Sequence, residues 1–347
     1  MTKVDYGVIN EGTILKLKAV KEYMDAYSSI MHYSDFPKYC YVDCFSGPGL
    51  CIRKKTGKEI KGSPVIALEV PYKFSSYHFI DLNSDSIKKL RLIKEKHSDC
   101  NIKILEGDCN IKIKNVLRDI GNNIPFLTLL DPQAGDLHWK TVELIAEKQK
   151  SEVLINFPFG MAINRYMPMN PSGAVSPSNI SKIDKIFGTN EWKLIYEAKR
   201  KDKISSFEAK QKFLDLYIRN LTGLGFKYYA VKDIKNSTNA HMYFLIYATH
   251  HRYGLEKMKD SFVKGEKDVG NMFFMQELIN KIYKVFCGDK KVTLNIILER
   301  MLSGKHLYRV QDFKNALVQL EKNKKIKRVK NRKRARTFQM DEEFTFT

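Results

Sequence analysis

The feature that most constrains the fold is an alternation of short apolar runs with amphipathic segments across the first half of the chain. The apolar runs are bounded by turn residues, which predicts β-strands. The segments between them place apolar residues at helical spacing, which predicts helices. The predicted strands are residues 39–45, 77–82, 102–105, 126–130 and 153–157, and the predicted helices between them are 64–68, 84–96, 110–120 and 139–148. Strict alternation of strand and helix gives right-handed crossovers and a mostly parallel sheet covered on both faces.

Further elements extend this pattern at both ends. A predicted amphipathic helix at 15–30 precedes the first strand. A polar, proline-rich loop at 161–181 follows the fifth strand, and a predicted helix at 207–221 leads into two more strand-like runs, at 226–233 and 242–249. The prediction is an α/β fold with a doubly wound, mostly parallel sheet of seven strands.

The C-terminal part of the chain has a different pattern. Three helices are predicted at 273–286, 293–302 and 310–323, and two short strand-like runs follow at 326–329 and 337–340. Three helices followed by a hairpin is the layout of a winged helix. The domain boundary is predicted in the polar segment 264–270, which carries two glycines. The chain is therefore divided into residues 1–265, with the N-terminal helix and the sheet, and residues 266–347, a winged-helix-like basic domain.

The formal net charge of +21 at pH 7 indicates a polyanionic partner, because Lys and Arg side chains that neutralise phosphates release condensed counterions. The charge is densest at residues 322–336, where ten of fifteen residues are basic. A solvated basic surface or an acidic partner is the alternative. Nucleic acid, DNA or RNA, is the predicted partner of the second domain. The candidate contacts are Arg309 and Gln311 at the start of the predicted third helix and, in the basic wing, Lys324, Lys325, Lys327, Arg328, Lys330, Arg332, Lys333, Arg334 and Arg336.

The six cysteines form no C-x-x-C pair and are interpreted as free thiols in a reducing compartment, so no metal site is predicted. No apolar run reaches the roughly 18 residues that a membrane span needs, and the N-terminus lacks a signal-peptide pattern. The sequence therefore predicts a cytoplasmic protein without a membrane segment.

The first predicted strand ends in an acidic residue followed by a glycine turn, in the sequence VDCFSGPG. Asp43 is the acid, and Phe45, Gly47 and Gly49 lie in the turn. Because glycine has no Cβ, a ligand can lie directly against the backbone, and ligands of open α/β sheets bind at the carboxyl ends of the strands. The fingerprint G-x-G-x-x-G is absent, which argues against a nicotinamide or flavin cofactor.

The next three predicted strands also run into aspartates, at Asp81, Asp108 and Asp131. Asp81 is placed to accept hydrogen bonds from ribose hydroxyls, and Asp108 could accept an adenine amino group. Each has a simpler interpretation: a turn residue for Asp81, and a helix N-cap for Asp108. Four successive acids at one edge of one sheet are nevertheless expected to converge on a single crevice.

The acid with its glycine turn and the aspartates that end the next three strands resemble the motifs of class I S-adenosylmethionine (SAM)-dependent methyltransferases. More specifically, the sequence from about Leu15 to the C-terminus resembles the three-Cys-motif partner protein family, in the phrases VDCFSGPG, GSPVIAL, GDCN, LLDPQAGDLHW, LINFPFGMAINR and FGTNEW. The resemblance implies a Rossmann-like methyltransferase sheet, SAM as cofactor, and a separate partner protein that bears a three-cysteine motif.

The resemblance also implies roles for individual residues. Asp43, Gly47 and Gly49 match the loop on the methionine side of the cofactor, Asp81 the ribose acid, and Asp108 the adenine acid. Their neighbours complete the predicted cofactor site, which comprises Asp43, Phe45, Gly47, Gly49, Asp81, Leu82, Asp108, Cys109 and Asp131. The predicted catalytic residues are Asp131, Pro132, Gln133 and Asn156, because Asp131 matches the position that accepts from the amine being methylated.

One departure concerns the residues after Asp131. Amino-methyltransferases usually continue with Pro-Pro and an aromatic residue that stacks on a flipped base, whereas Pro132 is followed here by Gln133. Phe157 or Phe159 is the predicted replacement. The absence of a Pro-Cys dipeptide argues against cytosine-C5 methylation.

The leading hypothesis is a SAM-dependent methyltransferase that acts on nucleic acid, at a base nitrogen. The alternative is a catalytically weak or inert SAM-fold protein that binds nucleic acid and recruits another enzyme. A methyltransferase for proteins or small molecules, whose basic tail attracts acidic substrates, is a third hypothesis.

Overall fold

The computed structural model describes residues 7–9, 11–132, 135–157, 159, 163–167, 175–235, 241–263, 272–329 and 338–347. The chain forms two compact units. The first comprises Met1–Lys227 and Lys232–His250, and the second comprises Tyr228–Val231 and His251–Thr347. None of the helices in the described ranges is long and apolar enough to cross a lipid bilayer.

The elements up to residue 249 alternate between strands and helices along most of their length. In chain order they are β1 Gly7–Ile9, α1 Glu11–His32, β2 Cys40–Asp43, β3 Leu50–Arg53, β4 Glu59–Lys61, α2 Ser63–Leu68, β5 Ser76–Asp81, α3 Ser84–Lys96, β6 Ile102–Glu106, α4 Cys109–Ile120, β7 Phe126–Leu130, α5 Trp139–Ala146, β8 Ser151–Phe157, α6 Asn164–Tyr166, α7 Pro177–Phe187, α8 Trp192–Arg200, α9 Ser206–Gly223, β9 Tyr228–Lys235 and β10 His241–Thr249.

Seven of these strands form one sheet in the order β6-β5-β2-β7-β8-β10-β9. The pairs from β6 to β8 are parallel, and β10 is antiparallel to β8. The predicted α/β fold with a mostly parallel, seven-stranded, doubly wound sheet is confirmed. Because the chain reverses its direction across the sheet between β2 and β7, the crevice for a ligand is expected at the carboxyl ends of these two strands.

The central strands explain why the sheet is covered on both faces. All residues of β2 and β7 are buried, as the continuous apolar run FLTLL of β7 requires. Side-chain caps begin several of the covering helices. Asn83 accepts hydrogen bonds from two backbone N–H groups of α3, and Ser205 begins α9 with a reciprocal capping box.

Helix α1 packs on the sheet through a buried polar cluster. The hydroxyl of Tyr23 donates to Glu152 and lies 2.8 Å from the hydroxyl of Tyr247, which donates to the same carboxylate at 2.7 Å. Burial raises the pKa of Glu152. The cluster fixes α1 against β8 and β10, because both hydroxyls donate to Glu152 Oε2 and the other carboxylate oxygen accepts from the hydroxyl of Thr249 at 3.3 Å.

Several parts of the first unit differ from the sequence prediction. The segment interpreted as a polar insertion forms β3 and β4, which pair with β1 in a small three-stranded sheet. The end of the predicted proline-rich loop forms α7, which Ser176 caps and Pro177 begins. Ser63 lies inside α2, and Gly62 precedes the helix as its N-cap.

The second unit contains four helices and a two-stranded ribbon in its described part: α10 Arg252–Val263, α11 Met272–Phe286, α12 Leu294–Met301, α13 Val310–Lys322, β11 Ile326–Arg328 and β12 Phe344–Phe346. β11 and β12 are antiparallel, and Val292 forms a bridge with Phe344. The buried side chains of Phe286, Leu298 and Phe313 contribute to the apolar core of this unit.

The ribbon and the boundary also differ from the prediction. The second strand is Phe344–Phe346, and residues 338–340 of the predicted run 337–340 lie outside it. Phe338 is a buried side chain that packs on the ring of Phe344 at 5.1 Å between centroids. The contacts of helix α10 place it in the second unit, so the boundary between the two units falls after His250. The predicted boundary segment, 264–270, lies outside the described residues.

Candidate active site

The turn after β2 and the tip of β5 are joined by the carboxylate of Asp81. The backbone N–H of Gly47 donates to Asp81 Oδ2 at 2.6 Å, and the backbone N–H of Asn83 donates to Oδ1 at 2.8 Å. Because β2 and β5 are adjacent parallel strands, their carboxyl ends lie at the same edge of the sheet. Two of the predicted cofactor-binding positions, Gly47 and Asp81, are therefore in direct contact at this edge.

Gly47 and Gly49 are glycine for different reasons. Both have positive φ angles, +60° and +75°, which other residues adopt at a cost. A Cβ on Gly49 would lie 2.4 Å from Ile93 Cδ1, so the turn packs tightly on α3 there. A Cβ on Gly47 would meet no described atom within 4 Å. A ligand can therefore approach the backbone at Gly47, beside the half-buried Phe45 and near Leu82, which is 74% exposed.

Asp43 differs from its predicted role because its side chain is completely buried. Its carboxyl group accepts hydrogen bonds from the hydroxyls of Tyr41 and Ser63 and from the backbone N–H of Phe45. Burial raises its pKa to about 7, and the charge of Asp131 adds to the rise, while these hydrogen bonds oppose it. Asp43 therefore shapes the glycine turn from inside the protein and has no surface left for a ligand.

The buried carboxyl of Asp43 predicts a specific pH dependence of stability. Its pKa is 3.8 ordinarily and about 7 in the folded protein, so between these values the folded state holds a proton that the unfolded state releases. This contribution to stability is complete below pH 4 and is lost as the pH rises through about 7. We expect the unfolding free energy of the wild type to fall by a few kcal/mol relative to that of Asp43→Asn between pH 4 and 7. Urea denaturation of both proteins across this range measures it, and a difference that does not change with pH would contradict it.

Asp108 and Cys109 lie at the tip of β6, where α4 begins. Asp108 is the N-cap of α4, as its simpler interpretation predicted, and its Oδ1 accepts from the backbone and side-chain nitrogens of Asn110, both at 2.8 Å. Asn110 in turn accepts from the hydroxyl of Thr141 at 2.7 Å, which ties this tip to α5. The carboxylate of Asp108 remains half-exposed, whereas Cys109 is buried beside Cys44, whose pKa is raised by burial.

Asp131 follows β7 and contacts a residue of the neighbouring strand β8. The side-chain amide of Asn156 in β8 donates to Asp131 Oδ1 at 2.8 Å. Lys16 of α1 forms an ion pair with Asp131 Oδ2, and the side chains of the two residues are 8% and 22% exposed. Pro132 is buried, and Gln133 lies outside the described residues.

Lys16 is the residue of this site that the sequence analysis missed. It lies on the buried stripe of α1 with Val20, Tyr23 and Tyr27, at spacings of four, three and four residues. A lysine on the apolar face of a helix must satisfy its charge inside the protein. A lysine in the apolar stripe of a helix that was otherwise predicted only to pack on the sheet is the sequence signal that could have identified Lys16.

The sequence analysis predicted that Phe157 or Phe159 replaces the base-stacking aromatic residue that is missing after Asp131, and this prediction is wrong. Phe157 is 1% exposed, and its ring packs on those of Tyr217 and Phe187 at 4.6 and 5.9 Å between centroids. Phe159 is 6% exposed and packs on Phe213. Both rings are part of the core beneath α7 and α9, so neither can stack on a base.

The predicted nucleic-acid contacts of the second unit fall into two groups. Lys324, Lys325 and Lys327 are exposed, and the ammonium of Lys325 lies 4.7 Å from the ring centroid of Tyr283. Gln311 is exposed, whereas Arg309 donates to Asp312 through its guanidinium at 3.1 and 3.2 Å. Five of the predicted contacts lie outside the described residues: Lys330, Arg332, Lys333, Arg334 and Arg336.

Arg328 was predicted to bind phosphate, and the structure contradicts this prediction. Its side chain is 7% exposed and donates to both carboxylate oxygens of Glu321, at 2.7 and 3.0 Å, and to Glu342 at 2.7 Å. The guanidinium also lies 3.8 Å from the ring centroid of Phe338. Arg328 therefore holds the ribbon to α13, and a density of basic residues in the sequence could not reveal this.

One grouping of possible metal ligands occurs among the described residues. His97, Asp99 and Cys100, in the turn between α3 and β6, place one ligand atom each within 4.8 Å of one another. Burial raises the pKa of Cys100, which disfavours the thiolate that a metal would require. All three come from one short turn, so we assign no metal to it.

No protein-family model and no curated protein matches this chain. Similar solved structures include protein LPL1258 from Legionella pneumophila, at 10% identity and a TM-score of 0.43, over 69% of this chain and 86% of that one. They also include TYW2 of M. jannaschii in complex with AdoMet, at 12% identity and a TM-score of 0.30, over 69% and 75%. An rRNA methylase from Streptococcus thermophilus has 9% identity and a TM-score of 0.33, over 67% and 94%. TM-scores below 0.5 at these identities do not assign the chain to a family.

Proposed function

We propose that this chain is a SAM-dependent methyltransferase that acts on nucleic acid. The observation that carries the proposal is the contact between the approachable Gly47 turn and the carboxylate of Asp81 at the carboxyl edge of the sheet. This edge, beside the point where the strand order reverses, is where open α/β sheets bind nucleotide-like ligands. The antiparallel β10 lies between β8 and β9 in an otherwise mostly parallel sheet, which is consistent with the Rossmann-like methyltransferase sheet that the sequence resemblance implies.

The residues at this edge fit the cofactor. Each carboxylate oxygen of Asp81 accepts one hydrogen bond from the chain and has a second lone pair for a ribose hydroxyl. The half-exposed carboxylate of Asp108 suits the amino group of adenine, and the exposed Leu82 offers apolar surface to the adenine ring. Asp43 and Gly49 shape the turn from below, as their burial and packing require.

SAM supplies a methyl group on a good leaving group, so the protein needs to position the acceptor and exclude water rather than provide acid or base chemistry. The group of Lys16, Asp131 and Asn156 lies at the tips of β7 and β8, next to the same edge. Its ionic and amide groups are held rigidly by one another. We assign the acceptor position to this group.

The second unit supports a nucleic-acid substrate, DNA or RNA. Its helices α11, α12 and α13 are followed by an antiparallel ribbon, the layout of a winged helix. The exposed Lys324, Lys325 and Lys327 at the start of the ribbon are available to phosphates. Together with the net charge of +21, they favour a polyanion over a protein or small-molecule substrate.

A second candidate function is a SAM-fold scaffold that recruits another enzyme to nucleic acid. The ion pair between Lys16 and Asp131 favours it, because a neutralised Asp131 is a weaker acceptor for a substrate amine. The resemblance to three-Cys-motif partner proteins is also consistent with it, since it implies a separate protein partner.

Two measurements on the full-length chain test the proposal. In the first, titration calorimetry with S-adenosylhomocysteine should give a heat of binding. In the second, incubation with SAM carrying a tritiated methyl group and separate pools of DNA and RNA should label one pool. Binding without label would favour the scaffold. The absence of both binding and label would contradict the methyltransferase, whereas the scaffold does not require a heat of binding.

A further inference from the structure

The orientation of the Asn156 amide is set by the charge of Asp131. An ionised carboxylate only accepts hydrogen bonds, so the group that faces Asp131 Oδ1 at 2.8 Å must be the NH₂ of Asn156 and not its oxygen. The ammonium of Lys16 donates to the other oxygen of the same carboxylate, Oδ2. The oxygen Oδ1 of Asn156 is therefore turned away from Asp131 as a fixed acceptor.

This oxygen is buried and has no hydrogen-bond donor within reach in the described part of the chain. Asn156 as a whole is 8% exposed. Buried polar atoms of native proteins are nearly always paired with protein groups or ordered water, so this acceptor is open to a donor from outside the chain, a water molecule or a ligand. Asn156 lies one residue beyond the pairing of Leu130 with Ile155, at the edge where β7 ends.

Lys16 is itself fixed by contacts within the first unit. The hydroxyl of Tyr243 donates to the backbone carbonyl of Gly12 at 2.7 Å and ties the first turn of α1 to β10. The Lys16 ammonium lies 5.8 Å from the ring centroid of Tyr243. Lys16 and Asn156 each donate to one oxygen of Asp131, so the acceptor of this group that has no partner among the described residues is Asn156 Oδ1.

We propose that Asn156 Oδ1 accepts an N–H of the methyl acceptor, and that Asp131 and Lys16 are positioning residues that fix the amide. The inference rests on the proposed function and narrows its substrate to an amino group, such as the exocyclic amine of a base. Asn156 orients the nitrogen lone pair toward the methyl group. On methylation the nitrogen would form a bond to the methyl carbon as the bond between that carbon and the sulfonium sulfur breaks, and S-adenosylhomocysteine would leave. The proton that the nitrogen loses goes to water, because the amide of Asn156 is not a base at neutral pH.

The choice of base tests the inference first. Oligonucleotides of a single base are incubated with the full-length chain and tritiated SAM. Adenine, cytosine and guanine carry an exocyclic amine, and uracil does not. We expect label in one or more of the three amine-bearing oligonucleotides and none in the uracil one. Label in the uracil oligonucleotide alone, or a methylated carbon or oxygen in the digested product, would overturn the inference.

Variants test the residues themselves. We expect Asn156→Leu to lower kcat by about a hundredfold while the Kd of S-adenosylhomocysteine changes less than about twofold. Asn115→Leu, on the exposed face of α4, is the matched control and should match the wild type in both. Lys16→Met should also lower kcat, and Lys16→Arg should restore most of it, which a purely structural lysine would not require. These two variants decide the question if Asn156→Leu does not fold.

The outcomes separate the inference from the function on which it rests. A wild type that binds S-adenosylhomocysteine but labels no nucleic acid contradicts the proposed function, and the inference fails with it. A wild type that labels nucleic acid while Asn156→Leu keeps its full kcat contradicts the inference alone.

Discussion

Replacing Asp81 with alanine is expected to weaken the binding of S-adenosylhomocysteine at least a hundredfold. Hydrogen bonds to a charged group contribute about 1.5–3 kcal/mol each, and a ribose offers two hydroxyls to this carboxylate. The loss of about 3–6 kcal/mol corresponds to a factor of roughly 10² to 10⁴ in Kd. Asp81 also accepts from the backbone of Gly47, so the variant releases the turn that faces the ligand. Titration calorimetry measures the change.

Asp85→Ala is the matched control for this experiment. Asp85 lies four residues further along, in the first turn of α3, and its side chain is 75% exposed in an ion pair with Lys88. Its replacement removes the same charge from the same region without touching Gly47. Equal losses of affinity in both variants would show a general electrostatic effect and would contradict the role of Asp81 as the ribose acid.

The sheet could be predicted because its signals are local. Runs such as FLTLL in β7 are apolar apart from Thr128 and bounded by turn residues, so a central strand is recognisable without its neighbours. β1 and β3 could not be recognised in this way. They pair with each other across more than forty residues, and every residue of β3 is only half-buried, so neither alternation nor continuous apolarity marks them.

The sequence analysis named candidate site residues at the strand tips, and the structure brings some of them into contact. Asp81 contacts the glycine turn, and Asp131 contacts Asn156, because neighbouring parallel strands end at one edge. Residues whose role depends on burial were not predicted correctly. Asp43 ends a strand like the other acids, yet it faces the interior, where Tyr41 and Ser63 satisfy it. The position of a residue at the end of a strand can be predicted from the sequence. The direction in which its side chain points cannot, because packing in the folded protein sets it.

Lys16 illustrates the same limit for helices. Its helix precedes the sheet in the chain, and the residue it pairs with lies 115 positions later. A helical stripe predicts that one face is buried, but it does not predict which strand that face covers. The contact between α1 and the tip of β7 therefore emerges only from the structure, and it changes the charge of the proposed acceptor site.

Replacing Arg328 with alanine is expected to destabilise the second unit by about 3–5 kcal/mol. The guanidinium neutralises Glu321 and Glu342, and the side chain of Glu342 is only 5% exposed. Its removal leaves a buried carboxylate without a partner and takes away the cation that covers the ring of Phe338. Hydrogen exchange at the backbone amides of β12, which pair with β11, measures the loss locally.

Lys327→Ala is the control that separates stability from nucleic-acid binding, because Lys327 is exposed on the same strand. Its replacement should change stability by no more than about 0.5 kcal/mol. If Lys327 contacts a phosphate, the slope of log affinity against log salt concentration should fall by about 1.

The stability of Arg328→Lys should lie between that of Arg328→Ala and that of Lys327→Ala, since lysine keeps the charge but cannot donate to both oxygens of Glu321 in parallel. If Arg328→Ala left hydrogen exchange at β12 unchanged and reduced the salt slope, the prediction would be contradicted. That result would show that Arg328 contacts phosphate instead of its carboxylate partners.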